Sequence, residues 1–338
     1  MSIKAFDKFK CSPRPEIESV SCYDIDVLRK IANTINKETS HTIKDINKKD
    51  RKELWTEIYK IMSNISECKT ETCWIKNDML KHLSHEIKKG LRPFMPKKWE
   101  ENKNEWLSTI DIAASLKQYE EAHKDFKLYG PTPIDFHLKE SNGSCKVDDL
   151  CAINIQKLLN EGIRKIGIVF NTDPHYKSGQ HWISLYIDLY DDNCIFGGAK
   201  KRKHTKKAKN MKDKKIKKVK NGELLSEEEL SESSHIGKTC SGMYYFDSQG
   251  VPPPKNIVDL MENISAQADN STHNIKFQKL YNDIQHQKKN TECGIYSIHF
   301  ITSLLYGMKF KDYIKKVRND EEMEKFRRVF FIDQRDIH

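Results

Sequence analysis

At 338 residues the chain can bury a full core, in one large domain or two smaller ones, and 37% hydrophobic against 32% charged residues describes a water-exposed protein with some unpacked surface. No window approaches the roughly 18 apolar residues of a membrane span, and Met1 to Lys10 offer no signal-peptide stretch; with nine cysteines, an odd count, the expectation is a protein kept in a reducing compartment with free thiols rather than a disulfide framework. The net charge of +10 has one source: Lys200 to Lys220 holds twelve Lys, one Arg and one Asp, or +12, so the rest of the chain is near −2 and any nucleic-acid or polyanion contact rests on that segment alone.

In chain order, residues 1–92 read as a helical N-terminal arm. Apolar residues recur at spacings of three or four in Asp24 to Ile35, Lys49 to Ile65 and Thr70 to Lys89, with Leu54, Ile58 and Ile61 as one stripe. Gly90, Pro93 and Pro96 break the pattern. A core domain over 93–338 follows, with a helix over Asp111 to His123 and then Gly130-Pro131-Thr132-Pro133. Ile166 to Phe170 is a short apolar strand. Trp182 to Leu189 has branched residues on both phases, as a strand buried on both faces would. A return strand begins at Cys194-Ile195-Phe196 and resumes only at Met243 to Phe246. A hairpin needs only a few linking residues, so about 197–241, basic and then acidic, is predicted to be a disordered insert. Beyond it the predicted elements are a helix over Lys255 to Ala268, a strand over Ile275 to Tyr281, a strongly apolar helix from Cys293 to Tyr306 and a last helix over Asn319 to Ile332. This is an α+β arrangement, a mixed β-sheet flanked by helices.

Four residues carry the chemistry. A thiol attacks a carbonyl as thiolate, and a helix N-terminus and a nearby imidazolium both favour that form. Cys293 stands at a predicted helix start, with polar Lys288 to Glu292 before it and Gly294 after it to let a substrate backbone approach. His181 opens a buried strand, and Trp182 could wall one side of its ring. Asp247 ends an aromatic strand, and Gln287 is a candidate donor to the oxygen that becomes negative in a tetrahedral intermediate. Singly these read as a core cysteine, a structural histidine, a turn aspartate and a loop amide; together, in this order, they describe a cysteine protease. Cys68 with Cys73, and Cys145 with Cys151, lack the partners of a zinc site, and neither metal nor cofactor is predicted.

His181-Trp182, Tyr245-Phe246-Asp247-Ser248 and Gln287 through Cys293-Gly294 resemble the SUMO-protease-like (papain-like) cysteine proteases. The closer likeness is to the polyprotein-processing type found in African swine fever virus and other large DNA viruses. The likeness also takes in Asn171 to Asp173 and the ending from Asp320 to Phe330. The resemblance implies Cys293 as nucleophile, His181 as general base and acid, and Asp247 as the group orienting the imidazole. It implies an oxyanion hole from Gln287 and the Cys293 N–H. Trp106-Leu107 with Asp111-Ile112 is similar to the Trp-Leu-Asn-Asp motif of SUMO proteases, so Trp106 and Trp182 would roof a tunnel for a Gly-Gly tail. Asp247 follows the SUMO-protease pattern, where the swine-fever type carries Asn. The implied function is cleavage of viral structural polyproteins after Gly-Gly-type sequences during virion maturation, in the virion and host cytoplasm, without secretion. The alternatives are a deconjugating enzyme for ubiquitin-like modifiers and a non-enzymatic, nucleic-acid-associated virion protein.

Overall fold

A computed structural model describes residues 10–13, 20–65, 68–102, 104–141, 143–189, 241–333 and 335. The expected return strand at 194–196, nearly all of the expected insert and the basic run from Lys200 to Lys220 lie outside the described residues. The helices are α1 (Ile25–Glu38), α2 (Arg51–Ile65), α3 (Ser84–Gly90), α4 (Lys98–Glu101), α5 (Thr109–Ala122), α6 (Asp148–Cys151), α7 (Ile155–Asn160), α8 (Lys255–Asp269), α9 (Cys293–Leu305), α10 (Phe310–Lys315) and α11 (Asp320–Phe330). The strands are β1 (Phe126–Pro133), β2 (Lys165–Asn171), β3 (Trp182–Asp188), β4 (Ser241–Phe246) and β5 (Phe277–Tyr281). No helix among the described residues is long and apolar enough to cross a membrane. They fall into two compact units, one of Met1–Lys124, His286–Gly307 and Val317–His338, the other of Asp125–Gln285 and Met308–Lys316.

The first unit is helical. α1 begins where the Asp24 side chain accepts the Val27 N–H, and its Leu28, Ile31 and Ile35 face Leu54, Ile58 and Met62 of α2 and the fully buried Trp74. Ile61 of the expected stripe stands only partly buried beside Met62. The single helix predicted over Thr70 to Lys89 is instead two 3-10 turns, Cys73–Lys76 and Asp78–Leu83, followed by α3. Asn77 makes the break: it is extended, and its side chain accepts the Met79 N–H and so starts a new turn. α9, also in this unit, is buried at every position.

The second unit is built on one mixed sheet, in the order β1-β2-β3-β4-β5. β1–β2 and β4–β5 are parallel pairs, while β2–β3 and β3–β4 are antiparallel. β3 is buried along both faces, as its sequence predicts. β1 is the strand hidden by its prolines. A proline donates nothing to a ladder and is tolerated at a sheet edge; β1 is an edge strand, and its pairing shifts register between Tyr129 and Thr132, around a cis Gly130-Pro131 bond. α7 and α10 are too short for apolar periodicity to reveal.

The free-thiol expectation is corrected at six positions: Cys11–Cys22, Cys68–Cys73 and Cys145–Cys151 are disulfides, and Cys293 is the free cysteine among the described residues. Parity was a poor guide because the nucleophile candidate is itself one of the nine. Cys11, Cys22 and Glu71 form the one group of three possible metal ligands among the described residues, and its two sulfurs are joined to each other.

Candidate active site

Strand register explains how two of the candidate residues meet. β3 and β4 run antiparallel with Ser184 opposite Phe246, so the residue before β3 and the residue after β4 come to the same end of the pair. Those residues are His181 and Asp247. The imidazole Nε2 stands 2.7 Å from the Asp247 carboxylate, and both side chains are largely buried. A charge-assisted bond of this length fixes the ring's orientation.

Asp247 is held in turn. Its carboxylate accepts the Gln249 N–H at 2.8 Å, while its backbone N–H donates to Asn282 Oδ1 at 2.9 Å and its carbonyl accepts from Asn282 Nδ2 at 2.8 Å. Asn282 is fully buried and also donates to the Ile284 carbonyl. Nothing in the sequence around Asn282 marks it; a β5 strand ending in Tyr281 and followed by a capable amide was the only available signal. Burial, and then the Asp247 charge, push the Tyr245 phenol well above its ordinary value, so that ring remains neutral beside the carboxylate.

Cys293 and Gln287 lie in the first unit. Cys293 is the first residue of α9 and is buried. The first N–H groups of a helix lack intrahelical acceptors and are commonly capped by the side chain at the N-cap. Glu292 occupies that position and makes no such bond. Its carboxylate is taken by Arg327, with Nε to Oε2 and Nη2 to Oε1 both at 2.9 Å. The head of α9 is thus left without a side-chain cap, suited to an anion. Gln287, six residues earlier, is 1% exposed.

Gly294 meets a packing demand. A Cβ there would meet Leu107 Cβ at 2.9 Å and Ile112 Cδ1 at 3.3 Å. Leu107 is buried whereas Trp106 is 36% exposed. Asp111 of the same motif forms a capping box with Ser108 that starts α5. The structure therefore joins His181 to Asp247, in the unit that also holds Trp182, and places Cys293, Gln287 and Trp106 in the other unit.

The model of the Ulp1 protease family, C-terminal catalytic domain, matches residues 157–337, more than half of the chain. The chain belongs to the Ulp1 protease family. It is a cysteine protease, and this family range contains His181, Asp247, Gln287 and Cys293. Over 343 residues it is 26% identical to a protein of Acanthamoeba polyphaga mimivirus provisionally named a thiol protease, covering 96% of this chain and 93% of that one. It is 23% identical over 321 residues to the SUMO-1 cysteine protease of African swine fever virus, from a Kenyan pig isolate, covering 91% and 99%. The crystal structure of the African swine fever virus protease matches this Ulp1-family chain with a TM-score of 0.55 at 17% identity, over 96% of each. At that identity the likeness concerns the fold.

Proposed function

We propose that this protein is a cysteine endopeptidase that cleaves viral structural polyproteins after Gly-Gly-type sequences, with Cys293 as nucleophile, His181 as general base and acid, and Asp247 as the orienting carboxylate. The observation that carries the assignment is the 2.7 Å bond from Asp247 to His181 Nε2. It commits one ring nitrogen to orientation, which supports giving the proton chemistry to the other, Nδ1. In this reading Nδ1 takes the proton as the Cys293 sulfur bonds to the scissile carbonyl carbon. The Gln287 amide and the N–H at the head of α9 hold the oxygen that becomes negative. His181 then returns the proton to the departing amine, and water, deprotonated by the same ring, releases the acyl group from its thioester. No metal or cofactor enters this chemistry.

Trp106 and Trp182 are assigned the walls of the channel for the glycines, on the strength of the Trp-Leu motif. Work in the virion and host cytoplasm, with Lys200 to Lys220 touching packaged DNA or another polyanion, belongs to the same proposal. A second reading keeps the chemistry and changes the substrate to a ubiquitin-like modifier; the name SUMO-1 cysteine protease borne by one relative favours it.

The test is incubation of wild type and Cys293→Ala with Gly-Gly-X peptides, viral capsid precursors and ubiquitin-like fusions, read by mass spectrometry. Cleavage of precursors by wild type alone is expected. His181→Ala should lose nearly all activity and Asp247→Asn should keep a part. Preference for the fusions would transfer the assignment to deconjugation, and equal loss of helical content in all three variants would refute the site.

A further inference from the structure

Residues 288–292 link the proposed oxyanion donor Gln287 to the proposed nucleophile Cys293, and α11 grips that link at both ends. At the first end Asp320 Oδ2 accepts the N–H groups of Lys288 and Lys289, each at 2.9 Å. At the second Arg327 forms its two-pronged pair with Glu292 and donates from Nη2 to the Thr291 carbonyl at 3.2 Å. Arg327 Nη1 also donates to the Glu105 carbonyl at 2.7 Å, one residue before Trp106, and its guanidinium lies 4.6 Å over the Trp99 ring.

Asp320 and Arg327 are seven residues apart, two helical turns, and so project from one face of α11. The first turn is fixed by a capping box between Asn319 and Glu322, and both gripping side chains are buried. A buried ion pair is weak evidence for stability, since apolar packing commonly does as well. What a guanidinium with a fixed fork gives is geometry. Here one guanidinium braces residue 105 and residues 291–292, while the carboxylate two turns away holds two consecutive N–H groups.

We propose that α11 is a positioning helix whose Asp320 and Arg327 clamp residues 288–292, and so set where the Gln287 amide and the Cys293 N–H stand when the oxyanion forms. This rests on the reading of Cys293 as nucleophile and Gln287 as oxyanion donor. Loss of one such donor costs about 10²–10³ in rate, and an ångström of misplacement about 10²; a slackened clamp, which shifts the donors without removing them, belongs at or below the lower end of that range.

The experiment uses the full chain with Asp320→Asn and Arg327→Lys, alone and combined with Gln287→Ala. Two probes separate positioning from thiol reactivity. With iodoacetamide the thiolate sulfur bonds to the methylene carbon and displaces iodide directly, which needs no oxyanion hole. With acetyl-glycyl-glycinal the sulfur bonds to the aldehyde carbon, the thiol proton passes to the carbonyl oxygen, and that oxygen is held by the same donors. We expect both variants to weaken aldehyde binding about 10- to 100-fold with the alkylation rate nearly unchanged. In the Gln287→Ala background, where one of the two positioned donors is gone and only the Cys293 N–H remains, each should add a smaller further loss. Unchanged aldehyde binding would overturn the clamp, as would an undiminished effect in the Gln287→Ala background. Parallel loss of both probes with loss of near-ultraviolet circular dichroism would reduce α11 to a structural part. Failure of wild type to react with either probe at Cys293 would instead refute the nucleophile, and the clamp with it.

Discussion

Cys293 is followed by a glycine whose missing side chain is occupied in effect by Leu107. Overpacking a tight contact costs about 1–3 kcal/mol, and a Cβ neighbour cannot swing away as a side-chain tip can. We expect Gly294→Ala to lower stability in that range by urea denaturation, and the double variant with Leu107→Ala to recover part of the loss; simple additivity would contradict the packing role. At this scale the candidates His181, Asp247, Gln287 and Cys293 stood out because the proposed chemistry restricts which residue types can do the work, and the structure brings His181 and Asp247 together. The supporting residues did not stand out. Glu292 sits at the end of a polar run, and Asp320 and Arg327 lie among five other charged residues between 320 and 328, a composition indistinguishable from a solvated face. Only burial separates them, and burial is a property of the fold.

The same limit applies to whole elements. Glu71 reads as one more surface acid, yet it ties three pieces of the helical unit together: it accepts from the Ser21 hydroxyl, from the Cys22 N–H at 2.8 Å and from the Trp55 indole at 2.8 Å. Burial raises its carboxyl above the ordinary value, and these hydrogen bonds offset that only in part. A folded-state value above the unfolded one, about 4.3, means the folded protein binds the proton more tightly. The corresponding stability is therefore present in acid and lost as pH rises through the folded value. Melting temperatures from pH 4 upward should show wild type losing ground to Glu71→Gln; a wild-type Tm relative to the variant's that stays flat or rises with pH would contradict it. Strong periodicity made α1, α2, α5, α8, α9 and α11 readable from sequence. β1 was masked by prolines that an edge tolerates, and the run after Thr70 by an asparagine that serves equally well inside a polar helix face or as a cap.

For the whole molecule, the α+β class and its mixed sheet followed from the pattern, whereas the three disulfides did not, because pairing depends on which short loops bring sulfurs together. The antiparallel pairing of β3 with β4 also has a use. His181 and Asp247 stand at one end, and residues 190–240 connect the strands at the other, where Asp188 faces Gly242. Strands of this length hold the two ends about 20 Å apart. Replacing 190–240 with a two-residue Asn-Gly turn should therefore leave peptide cleavage within about threefold of wild type, and should abolish the salt-sensitive DNA retention proposed for Lys200 to Lys220; loss of cleavage would tie that segment to catalysis. The order of assembly follows from the same pairing. β2 and β3 are joined by residues 172–181, whereas β3 and β4 close only across some fifty residues, an added entropic cost of about 1.4 kcal/mol at a fivefold longer loop. His181 therefore reaches its strand end with the early hairpin, and Asp247 arrives with a later pairing, so the sheet takes shape before the histidine has the carboxylate that orients it.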